Sequence, residues 1–94
     1  MGTILEAEKV KKTKKLLKIK VDTGIDQRIV VSGIAEFYKP EDIIGRQVSI
    51  LVNLAPKNLK GIDSQGMILM AEDADGKLVF VEPSVKVNEG SGIM

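Results

Sequence analysis

The 94-residue chain contains no cysteine and no histidine. Those absences exclude disulfides, thiolate or imidazole metal ligands, cysteine and Ser–His nucleophilic systems, and the usual near-neutral acid–base side chain. A carboxylate-only active site stays formally open, but no acids are singled out for one. No apolar run approaches the length of a membrane-spanning helix, and the N-terminus lacks a signal-peptide pattern. The expectation is a cytoplasmic, non-catalytic domain with no metal, no cofactor and no membrane partner. Aromatic residues are scarce as well: Phe37, Tyr38 and Phe80 are all there are. A protein that holds single-stranded nucleic acid by stacking successive bases needs more than that. Phe37 and Tyr38 precede a predicted helix, where packing beneath the end of a β scaffold is the simpler role.

What is present is unevenly laid out. The net charge is only +1, yet Lys9 to Lys20 holds seven lysines and no acid. From Glu72 onward, five acids meet two lysines. A concentrated basic block on a near-neutral chain predicts a local anion-binding face that the overall charge hides; a merely solvated lysine face is the plain alternative.

Ninety-four residues make one small domain, large enough to fold alone by a narrow margin. Ile4 to Val10 is read as a first strand. Leu17, Ile19 and Val21 alternate with Lys18 and Lys20, which is the period of a half-buried strand. Asp22-Thr23-Gly24-Ile25-Asp26 turns the chain and Arg28 to Ser32 returns it. Lys39-Pro40-Glu41-Asp42-Ile43-Ile44-Gly45 reads as one short helix, with proline and acids in its first turn and glycine at its end. Gln47 to Val52 is an apolar run fit for a central strand. Gly66 to Glu72, the turn Asp73-Ala74-Asp75-Gly76, and Leu78 to Val81 form a hairpin. Three strands, a helix and two more strands predict an all-β OB-fold. This is a five-stranded Greek-key barrel with a short helix between strands 3 and 4 and a C-terminal hairpin extension over 72–94.

Between the central strand and the next lies Asn53 to Met67, with Pro56, Gly61, Gly66 and two lysines, Lys57 and Lys60. A connection this rich in turn chemistry on a β scaffold is where binding groups tend to sit. Ser64 can donate and accept, Gln65 offers both amide roles, and Gly66 allows close backbone approach. Met67 can press a thioether on a ligand or fill the barrel mouth, and Asn53 can pin the loop or touch ligand. These groups suit recognition of phosphates and overall shape.

The chain resembles the tRNA-binding domain found at the C-terminus of many bacterial methionyl-tRNA synthetases and as a free-standing dimeric tRNA-binding protein. The matching text includes Lys15-Leu16-Leu17, Val21-Asp22-Thr23-Gly24, Val31-Ser32-Gly33-Ile34 and Tyr38-Lys39-Pro40-Glu41. It continues through Gly45-Arg46-Gln47-Val48, Asn53-Leu54-Ala55-Pro56-Lys57, Gly61-Ile62 and Ser64-Gln65-Gly66-Met67. The resemblance implies an OB-fold that binds tRNA by shape, appended to a synthetase whose tRNA affinity it raises. It also implies a homodimer formed through the C-terminal extension. By matched position, Ser64 and Met67 contact RNA, with Asn53, Lys57 and Gln65 beside them. Arg28, Lys12, Lys14, Lys15 and Lys60 are added on electrostatic grounds. A chaperone-like peptide-binding dimer and a purely dimerising appendage are the alternative functions.

Two departures bear on this. Relatives carry an Asp-x-Arg-Val pattern ahead of Gly2, so the chain is expected to be a cut fragment or an unusual form, with a weakened barrel seam. The Lys11-Lys12-Thr13-Lys14-Lys15 loop also lacks the His-Pro-x-Ala-Asp pattern common in relatives.

Overall fold

The computed structural model describes residues 1–11, 13–52, 56–88, 90 and 92. Lys12 and Asn53, both candidate binding residues, lie outside them. The backbone is nearly all strand: β1 (Gly2–Lys9), β2 (Leu17–Asp22) and β3 (Gln27–Ser32), then a one-turn helix α1 (Pro40–Ile43). After it come β4 (Gln47–Val48), β5 (Ile50–Leu51), β6 (Lys57–Leu59), β7 (Ile62–Ser64), β8 (Met67–Ile68), β9 (Met70–Glu72) and β10 (Leu78–Phe80). A curled antiparallel sheet in the order β3-β2-β1-β4 is completed by the two-stranded pairs β5–β8, β6–β7 and β9–β10. This is an OB-like all-β architecture, as the order of elements predicts.

The apolar alternation of β2 places Leu17, Ile19 and Val21 in the core, beside Ile4, Val30, Ile34, Ile43, Val48 and Ile68. Strict alternation in β1 would put Glu6 and Glu8 on the same face as Ile4. A register shift between Ile4 and Glu6 prevents this: Ile4 pairs with Val21, but Glu6 pairs with Lys20, Ala7 with Ile19 and Glu8 with Lys18. The extra residue, Leu5, acts as a β-bulge that turns both glutamates outward, opposite lysines. β1 meets partners on both sides from its first residues, with Gly2 opposite Val48 and Thr3 opposite Asp22.

The predicted central strand is divided at Ser49. Its N–H and Oγ both bond the Val81 carbonyl (3.2 and 2.9 Å), while its own carbonyl accepts from Leu69 N (2.8 Å). The strand thereby passes from the main sheet, through β4, to the second ribbon, through β5. Gln47, Val48 and Ser49 are buried and Leu51 is exposed. The predicted helix shrinks to one turn with Glu41 and Asp42 in it, and Gly45 (φ 90°) reverses the chain after it.

The C-terminal extension is clasped twice. Tyr38 Oη donates to the Leu78 carbonyl (2.9 Å), and the Tyr38 and Phe80 rings sit 4.8 Å apart. The Arg46 guanidinium lies about as far from each ring, 5.5 and 5.4 Å, and pairs with Glu82 at 3.1 Å. Further on, the buried Gln47 amide accepts from Val87 N and donates to Val87 O. Two of the three aromatics are thus spent on packing.

Candidate nucleic-acid interface

The connection read from sequence as one long loop contains a hairpin. β6 and β7 pair Lys57 with Ser64, Asn58 with Asp63 and Leu59 with Ile62, leaving a two-residue turn. That turn is Lys60-Gly61, with φ of 53° and 84°. Both central residues in the left-handed region define the tight hairpin turn whose twist matches the strands. Asn58 braces it, accepting from Gly61 N (3.1 Å) and donating to Asp63 (3.1 Å). The result is a short, internally built arm with Lys57 near its root and Lys60 at its tip.

The arm's root is sewn to β3. Ser64 is only 5% exposed; its Oγ accepts from Val31 N (3.0 Å) and donates to the Gly66 carbonyl (3.2 Å). Gln65 bonds Ile29 on both edges: Gln65 N donates to Ile29 O (2.7 Å), and Ile29 N donates to Gln65 Oε1 (2.9 Å). A side-chain amide here takes the place of a strand in the ladder. Gly66 is required for a similar reason, since a Cβ there would lie 2.7 Å from the Leu51 carbonyl. The close approach foreseen for this glycine is made within the fold, to β5.

Between the arm, the end of β3 and β8 runs a groove of about 630 Å³. Leu59, Met67, Leu69 and Met70 give it an apolar floor, Lys57 a cationic edge, and Ser32 and Gly33 its far end. Met67 is 52% exposed, paired across the ribbon with exposed Leu51. None of the three aromatics lines it. A base or ribose entering this groove would meet aliphatic carbon and thioether sulfur instead of a stacking ring.

Of the candidate residues, Lys57, Ser64 and Met67 come together in the groove, with Gln65 at its root and Lys60 at the arm tip. Lys14 and Lys15 sit elsewhere along the sheet, exposed on the β1–β2 connection. Within its described residues, Thr13 Oγ1 donates to the Val10 carbonyl and accepts from Leu16 N (both 3.3 Å). Lys15 O accepts from Ala35 N (3.0 Å), and β2 begins opposite Ser32. The lysine loop therefore joins the sheet at the Ser32–Gly33 end of the groove. Lys9 and Lys11, in the same block, are exposed too.

Arg28 and the β2 lysines differ from a free cationic face. Arg28 Nε contacts both Asp26 carboxylate oxygens (3.3 and 3.2 Å), and its Nη1 donates to Val52 O (2.9 Å) and Gln65 O (3.1 Å). The Thr23 hydroxyl bonds the Asp26 carboxylate. That bond chiefly, with Arg28 beside it, lowers the Asp26 pKa against the opposing effect of burial. Lys18 pairs with Glu8 at 3.6 Å, and Lys20 lies opposite Glu6. The acid-free sequence block is thus partly compensated across the sheet, by glutamates that the β1 bulge turns outward. Sequence reasoning passed over Leu59 within the long connection, Leu69 and Met70, the last two of which looked like strand filler, and the Ser32–Gly33 end. A serine-glycine pair closing a strand was the available signal for the latter.

An OB-like barrel with an apolar groove flanked by lysines on two connections is the layout of an oligonucleotide-binding module. The family described as "Putative tRNA binding domain" matches residues 1–92, and the chain belongs to it. It is 68% identical over 93 residues to a methionine–tRNA ligase of Cytophaga hutchinsonii, covering 99% of this chain and 14% of that protein. Its close homologues are the C-terminal region of methionyl-tRNA synthetases, and the chain spans about one seventh of their length. Among solved structures, a MetRS-related protein of Pyrococcus horikoshii matches with a TM-score of 0.92 and 41% identity, over 99% of this chain and 85% of that one. The chaperone CsaA of Bacillus anthracis is more distant: TM-score 0.88 and 28% identity, over 99% of this chain and 86% of that one. Among the described residues, no helix is long and apolar enough to cross a membrane.

Proposed function

We propose that this domain is a non-catalytic appendage of a methionyl-tRNA synthetase in the cytoplasm, and that it binds tRNA and raises the tRNA affinity of the catalytic part. The observation that carries the reading is the groove itself, with an apolar floor at Met67, a lysine at its edge and another at the tip of the arm beside it. Lysines displace counterions from the phosphate backbone, while groove and arm test the shape of folded RNA. Ser64 and Gln65 serve that surface by fixing the arm, and Met67 and Lys57 meet the RNA. The C-terminal extension over 72–94 joins two copies into a homodimer. Val81 and Val85, exposed on it, support that reading.

The test is a titration with tRNA at several salt concentrations, beside a single-stranded oligonucleotide of equal length. Preference for folded tRNA with strong salt dependence is expected. Absence of binding at low salt, or equal affinity for both RNAs, overturns the reading. The apolar floor also fits an extended apolar peptide, as the likeness to a chaperone would have it. Peptide binding in the groove would survive high salt and would be unmoved by replacing Lys57 and Lys60.

A further inference from the structure

We propose that Arg28 is a positioning residue for RNA binding, a clamp that sets the β6–β7 arm against the barrel, and not a phosphate ligand. The inference rests on the tRNA-binding reading and adds to it how the groove keeps its width. Arg28 Nη1 holds the carbonyls of Val52 (2.9 Å) and Gln65 (3.1 Å), which lie on the two sides of the excursion carrying the arm. One guanidinium thus ties the outgoing and returning chain to the start of β3. Its Nε–H is taken by Asp26, whose carboxylate is in turn fixed by the buried Thr23.

The chemistry requires arginine. A planar fork can reach a carboxylate from one edge and two carbonyls from another, whereas an ammonium is a point charge on a flexible stem. With Asp26 at 3.2 Å its charge is already paired, so little attraction is left for a phosphate. What Arg28 offers RNA is geometry: the arm forms one wall of the groove and carries Lys60 at its tip. Once the clamp is lost, Gln65 and Ser64 still hold the arm to β3, but neither touches the outgoing strand at Val52.

The two roles of Arg28 predict opposite signs for removal of Asp26. Were Arg28 a phosphate ligand, Asp26→Ala would free it, remove a negative charge and tighten tRNA binding. As a clamp, it loses its orientation, and binding weakens. We expect Asp26→Ala and Arg28→Met each to weaken tRNA binding about ten-fold, the loss when the docked arm falls to roughly a tenth of the population. The slope of log affinity against log salt should stay as in the unaltered chain. Arg28→Lys keeps the charge but not the fork, so it should behave like Arg28→Met. Amide hydrogen exchange should quicken far more over residues 57–64 than in β2, which separates a loosened arm from a generally destabilised domain.

Tighter binding by Asp26→Ala, or rescue by Arg28→Lys, would overturn the proposal. So would a slope reduced by about 0.7 to 0.9 in Arg28→Met with the arm's exchange unaltered, since that is the mark of one lost phosphate contact. A loosened arm with undiminished affinity also overturns it. If the unaltered chain fails to bind tRNA, the tRNA-binding reading falls and the RNA role of Arg28 with it. The exchange measurement then decides separately whether Arg28 clamps the arm.

Discussion

Lys60 stands where a hairpin of this kind ordinarily places asparagine or glycine, and replacing it should move stability and RNA binding in opposite directions. Its φ is 53°, in the left-handed region, and Lys60 is the one non-glycine residue with positive φ among those described. For an L-residue with a Cβ that conformation costs about 1–2 kcal/mol, and asparagine carries less of it because its short amide bonds locally. Lys60→Asn should therefore stabilise the chain by about 0.5–1 kcal/mol. At about 4–8 °C per kcal/mol for a domain of this size, the melting temperature should rise by about 2–8 °C. The same change removes the cation at the arm tip, so the salt slope of tRNA binding should fall by about 0.7 to 0.9 and affinity at low salt should drop. Thermal melts and salt-series titrations on the one variant suffice. A lower melting temperature would refute the strain argument, and an unchanged slope would remove Lys60 from the RNA surface. Both outcomes as predicted would mean that the chain gives up hairpin stability to keep a charge at that tip.

Four further expectations concern the scaffold and the groove. Ser64→Ala leaves the buried Val31 N–H without its acceptor and should cost about 1–3 kcal/mol in denaturant unfolding; Met67→Ala, at an exposed site, should leave the unfolding midpoint nearly in place while weakening tRNA binding. Gly66→Ala puts a methyl group 2.7 Å from the Leu51 carbonyl, so β5 and β8 must part; loss of amide protection there is expected, and a variant as protected as the unaltered chain would contradict it. Asp26 is depressed in the folded state, chiefly by the Thr23 hydroxyl, so its stabilising contribution is full above its unfolded pKa of about 3.9 and is lost as pH falls through the lower folded value. The difference in melting temperature between the unaltered chain and Asp26→Asn should therefore be constant from neutral pH down to about 5 and shrink below about 4.

The strands with a clean period were legible. Leu17, Ile19 and Val21 declare the inward face of β2, and Gly24, Gly45 and Gly76 mark turns that need positive φ, as they have here. The β1 bulge was not legible, because Leu5 carries no local signal for it; only pairing with β2 forces the shift that keeps Glu6 and Glu8 out of the core. The division of the central strand at Ser49 also depends on distant partners, Val81 and Leu69. The β6–β7 hairpin was hidden by Lys60. A Lys-Gly turn lacks the Asn-Gly or Asp-Gly signature that announces such hairpins, although Asn58 and Asp63 supply the side-chain bracing.

Charge was the most misleading feature of the sequence read along its length, because folding redistributes it. The lysines of β2 lie against β1 glutamates and Arg28 is matched by Asp26, so these cations serve mainly the sheet and the arm. Cations offset by a neighbouring carboxylate add little to phosphate binding, however dense they look in the chain. The exposed lysines that the proposed function assigns to RNA are Lys9 at the end of β1, Lys11, Lys14 and Lys15 on the connection after it, and Lys57 and Lys60 on the arm. The two sets are joined by the groove, whose Ser32–Gly33 end meets the lysine loop and whose wall is the arm. An RNA that engages both must span the groove, so affinity depends on the spacing of the two connections as well as on their charge. Replacing Lys14 and Lys15 should accordingly weaken tRNA more than a short single strand that reaches only one set. Equal losses for both RNAs would mean that the two connections act independently.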